Sequence, residues 1–222
     1  MSLKHGIKKL LRPHGREAFL DTLPKGAHVL DVGCGSNSPY LVKMQRPDLY
    51  YVGLDVGDYN QTVDPTRFAD EYILTPPEKF ADAIAALGCR FEAVISSHNI
   101  EHCNDPDDVL KAMSRALRKT GKLYMSWPSE PSLRFPSRKG CLNFHDDPTH
   151  QHMPSFDAVV GTVEREGAVA TFKSRTYKPP LPWLVGLLLE PISSVTKKKV
   201  AFMQATWAFY GFESVVFFSK NA

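Results

Sequence analysis

His28-Val29-Leu30-Asp31-Val32-Gly33-Cys34-Gly35 decides the fold of this 222-residue chain. An apolar run that ends in an acid and two closely spaced glycines is the pattern of a buried strand turning sharply into a helix. The turn needs glycine because a ligand approaches backbone amides there, where a Cβ would intrude. Working outward, similar apolar runs bounded by turn residues recur at Tyr50-Tyr51-Val52-Gly53-Leu54-Asp55, Tyr72-Ile73-Leu74, Phe91-Glu92-Ala93-Val94-Ile95-Ser96 and Lys122-Leu123-Tyr124-Met125-Ser126-Trp127. Stretches of helical length separate them. This alternation predicts an α/β chain with a mainly parallel sheet.

The second run ends in another acid, Asp55, 22 residues beyond Gly33. Where the first two strands are neighbours, such a carboxylate meets the two ribose hydroxyls of an adenosine and accepts a hydrogen bond from each. The dinucleotide pattern Gly-x-Gly-x-x-Gly/Ala would place Ser38 in its third glycine slot. Asp31, standing before the first glycine, disfavours an anionic pyrophosphate and suits the cationic amino group and sulfonium of S-adenosylmethionine (SAM). An NAD-dependent oxidoreductase and a non-catalytic SAM-binding protein stay open as other readings of these residues.

The clearest helix follows Asn104-Asp105-Pro106-Asp107-Asp108. Asp105 can cap it, Pro106 suits the first turn, and Val109, Leu110, Met113 and Leu117 share one face, with Gly121 as the expected stop. A second helix spans 155–166 and ends at Gly167, before a strand near 169–174. Val215-Val216-Phe217-Phe218 forms a terminal strand, while 181–195 and 202–210 read as apolar, helical inserted material. Residues 1–25 read as a basic amphipathic helix or lid, interrupted near Pro13. Residues 26–222 then form one domain with insertions at about 128–153 and 179–210.

The motifs Val29-Leu30-Asp31-Val32-Gly33-Cys34-Gly35, Val52-Gly53-Leu54-Asp55, Phe91 to His102 with Asp105-Pro106, and Arg115 to Leu123, in that order, resemble the class I SAM-dependent methyltransferases. The match is narrower still to the branch whose fourth strand ends in a Leu/Ile-Glu-His segment, here Ile100-Glu101-His102. This resemblance implies a Rossmann-like, seven-stranded, mainly parallel sheet with an antiparallel last strand and helices on both faces. It also implies SAM as cofactor, held by Asp31, Gly33, Cys34 and Gly35 at its methionine part and by Asp55 and Val56 at its ribose. Ser96, Ser97 and His98 would border the donor methyl. The family often places an Asp after the third strand for the adenine amino group. Ile73-Leu74-Thr75-Pro76-Pro77 has none, leaving Asp70, Glu71 or Glu78 as substitutes.

Methyl transfer to a hydroxyl requires alignment and removal of a proton. His98, just past the fourth strand, is a candidate base; Glu101 and His102 read rather as anchors of the loop. A second cluster is Asn143-Phe144-His145-Asp146-Asp147-Pro148-Thr149-His150-Gln151-His152. Here His145 and His150 are candidate bases, and Asp146, Asp147 and His152 candidate acceptor-binding groups. Its irregular setting lacks a fixed ligand spacing, so no metal is assigned. The stretch resembles a segment of bacterial methyltransferases of lipopolysaccharide and capsule biosynthesis, which implies a sugar hydroxyl, or less readily an amine, on a glycan acceptor. The alternative acceptor is a small metabolite or a quinone-like ring.

Composition narrows the partners. Twenty-seven basic residues against 24 acidic ones leave a net charge of +3, too balanced to argue for nucleic acid. Cys34, Cys89, Cys103 and Cys141 form no Cys-x-x-Cys pair, as expected of free thiols in a reducing cytoplasm. The run Leu181 to Leu189, followed by Lys197-Lys198-Lys199, is too short to span a bilayer. It can instead rest in a membrane interface, or pack on the core or on a second copy in a homodimer.

Overall fold

A computed structural model describes residues 11–221. The N-terminal half of the expected basic helix, with Lys4, Ile7, Lys8, Lys9 and Leu10, lies outside the described residues. The remainder of that segment contributes Arg12 to Gly15 as a connector and the short helix α1 (Arg16–Leu20), which buries Ala18, Phe19 and Leu20.

The sheet comprises β1 (His28–Val32), β2 (Tyr50–Asp55), β3 (Glu71–Leu74), β4 (Phe91–Ser97), β5 (Leu117–Pro128), β6 (Ala168–Ser174) and β7 (Glu213–Lys220). Their order is β3-β2-β1-β4-β5-β7-β6. The first five strands pair in parallel, and β7 runs antiparallel to both β5 and β6. The expected architecture is therefore present, including the reversed last strand. The strand order reverses beside β1, between β1 and β4, so the carboxyl ends of those two strands flank the crevice where open α/β sheets bind ligands.

The β1, β2 and β4 interiors read as continuous apolar runs because both sheet faces are covered. On one face, helices α3 (Phe80–Ala86), α4 (Pro106–Ala116) and α5 (Phe156–Arg165) pack on Leu30, Val52, Val94, Leu123 and Val216. On the other, α1 and α2 (Ser38–Gln45) cover Val29, Tyr51, Ala93, Ile95 and Tyr124. Each fully buried Leu, Ile or Val contributes about 1.5–3 kcal/mol, so this two-sided burial holds the crevice rigid.

Two local expectations are corrected. Helix α4 stops at Ala116, and Leu117 is already extended and buried in β5, at φ −72° and ψ 134°. Thr120 takes the left-handed conformation, at φ +61°, rather than Gly121. Gly121 is small for another reason: a Cβ there would stand 2.9 Å from the Arg118 carbonyl oxygen. Asp105 precedes α4 but makes no side-chain capping bond. By contrast Gly167 ends α5 in the left-handed region, at φ +87°.

Residues 129–155 carry only short 3-10 turns, and helices α6 (Pro180–Thr196) and α7 (Ala205–Tyr210) fill the stretch before β7. These two segments pack on each other. Lys139 N donates to the Lys197 carbonyl, Lys199 N donates to the Lys139 carbonyl, and Trp207 Nε1 donates to the Cys141 carbonyl at 2.6 Å. Gly186 permits the crossing of α6 and α7, because a Cβ there would stand 2.2 Å from the Ala205 carbonyl oxygen. Leu184, Leu187, Leu188, Ile192 and Val195 remain exposed on α6. Among the described residues, no helix is long and apolar enough to cross a membrane.

Candidate active site

A cavity of about 800 Å³ opens beyond the carboxyl ends of β1, β2 and β4. Gly33, Gly35, Asp55, Val56 and Ser97 line one part of it. Gly33 sits at φ +77° with Asn99 pressed against it, so that a Cβ would stand 2.4 Å from Asn99 Oδ1. A Cβ on Gly35 would approach the Tyr59 carbonyl oxygen at 3.1 Å and Asp55 Oδ2 at 3.6 Å. Gly33 therefore requires glycine, while at Gly35 a Cβ would be tightly confined.

Asp55 accepts a hydrogen bond on Oδ1 from Val56 N at 2.7 Å. Burial pushes its carboxyl up to about 6, against the opposing pull of backbone amides at Val56, Gly35 and Gly57. The group is thus desolvated, facing the cavity, and an acceptor once ionised. Of the three acids proposed to replace the missing adenine partner, only Glu78 lines the cavity. Asp70 is held by Tyr51 N and Lys43, and Glu71 by Arg90 and Tyr50.

Asp31, Cys34 and Ser96 require correction, since all three are buried behind the cavity wall. Asp31 Oδ2 accepts from Ser38 Oγ at 2.5 Å and from Tyr51 OH at 2.6 Å, and Ser38 Oγ accepts in turn from Arg16 Nη1 at 2.7 Å. The acid therefore braces the glycine turn and the N-terminal segment. Arg12 and Arg16, which do line the cavity, are charged residues whose place sequence patterning did not reveal.

His98 occupies the left-handed region, at φ +50°, directly after β4. Its Nδ1 lies 3.3 Å from Glu101 Oε1 and its Nε2 3.1 Å from Glu213 Oε1, while its ring stacks near Phe212 and Trp207. Glu213 also pairs with Arg12. Burial alone would push the imidazole down, but the two carboxylates outweigh it and raise it to about 9. Glu213 shows the reciprocal effect: burial favours its neutral form, yet Arg12 and His98 hold it at about 2. His98 is consequently an imidazolium at neutral pH and has no lone pair with which to take a proton, contrary to its expected role as base.

The His/Asp loop divides sharply. His145 points to solvent, and His152 lies in a separate shallow cleft with Ile100 and Pro106, so neither meets the main cavity. Asp146 spends its Oδ2 on the amides of Arg138, Leu142 and Asn143, completing a capping box with Asn143. These three are not in a position to act on a ligand there. Asp147, Thr149, His150 and Gln151 do line the cavity, together with Gln204 and Trp207 from the other inserted segment. Gln151 fastens the loop down, its N donating to the Glu101 carbonyl and its Nε2 to the His102 carbonyl, both at 2.9 Å.

Comparison with known proteins fits this geometry. Residues 3–159 match the family described as a methyltransferase domain. The chain belongs to this methyltransferase family. Its fold is that of SAM-dependent methyltransferases. The methyltransferase is 31% identical over 111 residues to the mitochondrial ubiquinone biosynthesis O-methyltransferase of Arabidopsis thaliana, a match covering 46% of this chain and 32% of that one. It spans about a third of the length of the curated relatives it matches. The SAM-dependent methyltransferase of Mesorhizobium loti shares the fold at a TM-score of 0.60 and 14% identity, over 91% of this chain and 96% of that one. That of Archaeoglobus fulgidus does so at 0.55 and 15%, over 99% and 100%.

Proposed function

We propose that this methyltransferase transfers a methyl group to a hydroxyl oxygen of a polyhydroxylated acceptor, of the kind a sugar presents. In this reading the Gly33 and Gly35 backbone faces the methionine part of SAM and Asp55 accepts from the ribose hydroxyls. Val56, Phe80 and Ala81 flank the adenine, Glu78 takes its amino group, and Arg16 faces the methionine carboxylate. SAM, when bound, supplies a methyl carbon on a cationic sulfur. What the chain must add is alignment and a place for the hydroxyl proton.

The observation that carries the reading is the state of His150. Its Nδ1 lies 2.6 Å from the Phe144 carbonyl oxygen, which can only accept, so Nδ1 carries a proton and Nε2 is the nitrogen with a lone pair in the neutral ring. That nitrogen sits 4.0 Å from both Glu101 Oε1 and Asp147 Oδ2 on the cavity side. Here, rather than at His98, the chain offers groups that take a proton. Asp147, Gln151 and Gln204 provide hydrogen-bonding partners for several hydroxyls, and Trp207 lines the same wall. The cation pair Arg12 and His98, balanced by Glu101 and Glu213, keeps this wall near neutrality.

A second reading, a phenolic ring as acceptor, draws on the likeness to the ubiquinone O-methyltransferase and on the aromatic Trp207 and Phe212 in the cavity lining. One experiment separates the two. The purified protein is incubated with isotopically labelled SAM and matched panels of glycans, nucleotide-sugars and catechols, and the methylated products are located by mass spectrometry. Methyl ethers on sugar hydroxyls support the first reading; label confined to catechols replaces it with the second; label on nitrogen rejects both.

A further inference from the structure

We propose that Glu101, His102 and His150 hold a divalent transition-metal ion, of the kind that favours nitrogen and oxygen ligands, at the cavity wall where the acceptor binds. The inference rests on the acceptor reading above for its chemical purpose, though not for its geometry. One donor atom from each of the three residues lies within 4.8 Å of the other two. Ligands about 2.1 Å from an ion stand roughly 3.0–4.2 Å apart, so side-chain rotations of about 1 Å close the set.

Two further observations make this more than a cluster of titratable groups. Glu101 is fully buried, yet neither carboxylate oxygen accepts a hydrogen bond; His98 stands near Oε1 at 3.3 Å but outside hydrogen-bonding geometry. His98, shared with Glu213, balances the charge of Glu101, but the oxygens themselves are left without the partners that a bound cation would supply. The two histidines are, in addition, prepared as ligands. His150 Nδ1 donates to the Phe144 carbonyl at 2.6 Å, and His102 Nδ1 to the Thr149 carbonyl at 3.2 Å, with the Thr149 hydroxyl at 3.1 Å. Carbonyl oxygens only accept, so both rings carry a proton on Nδ1 and leave Nε2 as the ligating nitrogen of the neutral ring, the arrangement in which outer hydrogen bonds orient metal-bound histidines.

Asp147 extends the set. Its Oδ1 is taken by the amide and hydroxyl of Thr149, while Oδ2 stays 4.0 Å from His150 Nε2. Two imidazoles and one or two carboxylates would hold an ion without filling its coordination, as in catalytic rather than structural metal sites. With His150 Nε2 on the ion rather than free as a base, an acceptor hydroxyl bound there would give its proton to Asp147 and thence to solvent. Its oxygen forms the bond to the methyl carbon as the carbon–sulfur bond breaks, and the sulfur departs as a neutral thioether. The sequence assigned no metal because it was sought within 143–152, where no ligand spacing exists. The proposed site instead joins residues 101 and 102 to residue 150, brought together by the two Gln151 bonds.

The test uses Co2+ as probe on the full chain freed of metal by chelator dialysis. We expect one equivalent of Co2+ to bind with micromolar affinity and to develop visible d–d absorption. We expect His102→Ala, chosen because its side chain is partly exposed, and His150→Ala to weaken that affinity at least about 100-fold while melting temperature and S-adenosylhomocysteine affinity hold. Wild-type protein that binds Co2+ no more tightly than the folded His102→Ala variant overturns the proposal. Methyl transfer that persists undiminished after chelation likewise overturns the metal's role and leaves the hydroxyl reading standing. Tight Co2+ binding that depends on both histidines upholds the site even if no hydroxyl acceptor is methylated, a result that would count against the acceptor reading alone.

Discussion

The wall around Gly33 and Asp55 comes from two turns that follow adjacent parallel strands, whereas the wall around His150 gathers residues 98–102, 147–151 and 204–213 from three separated stretches. In the first, backbone shape does most of the work: absent Cβ atoms, a left-handed glycine and one carboxylate at a strand end. In the second, side chains do it, and each depends on a hydrogen bond from elsewhere to fix its protonation state. A site made by backbone tolerates almost no substitution at its glycines and few changes of chemistry. A site made by side chains is open to replacement, provided the tethers persist.

The sharpest way to break this contrast is Gly33→Ala. The added Cβ would collide with Asn99 and require φ +77°, so S-adenosylhomocysteine binding should vanish in calorimetry and stability should fall by about 2–3 kcal/mol in denaturant titration. Retained binding would mean that the turn is softer than its geometry implies. Next in size is His150→Ala, expected to lower turnover at least about 100-fold while cofactor affinity stays within about twofold. A parallel loss of cofactor affinity would dissolve the division between the walls. Asp55→Ala should weaken S-adenosylhomocysteine binding more than about tenfold by removing two charge-assisted hydrogen bonds.

Asp55 also sets a pH dependence. Its ionised form is the acceptor, so affinity should be full above about 6 and should fall by up to about tenfold per unit as pH drops below that value. Stability of the ligand-free protein moves the opposite way, because a raised carboxyl pKa favours the protonated folded state. That contribution is complete below the ordinary carboxyl range and disappears as pH rises through about 6. Calorimetry across pH 5 to 8 checks the first statement, and thermal melts over the same range the second. The smallest effect is expected of Gln151→Ala, which cuts one tether to the His102 carbonyl while sparing the Gln151 amide bond. Turnover should drop by about threefold to tenfold with no change in cofactor binding, consistent with about one ordinary hydrogen bond.

Which of these features could be read beforehand follows from the same contrast. Gly33, Gly35, Asp55 and Ser97 were legible because the glycine turn and strand-end acid are local patterns that period and punctuation expose. Asp31 was misplaced because an acid's position along a strand does not say which way it faces; Tyr51 and Ser38, which claim it, lie 20 and 7 residues away. Asp146 misled for a different reason, since Asn143-x-x-Asp146 is a capping box and was read as composition rather than spacing. Arg12 and Glu213 pair across 201 positions, a relation no window detects. A carboxylate, Glu213, opening the strand just before the apolar run Val215 to Phe218 was the one available signal. His98 looked like a base because its location was visible and the approach of Glu213, 115 residues away, was not.

The joint between the inserted segments has a consequence for how such a chain changes over generations. Residues 139 and 197–199 clasp main chain to main chain, Trp207 locks onto Cys141, and Gln151 secures the assembly to residues 101 and 102. Main-chain clasps are indifferent to side-chain identity. The contents of this reading head can therefore drift toward a new acceptor while the donor socket beneath it stays as it is.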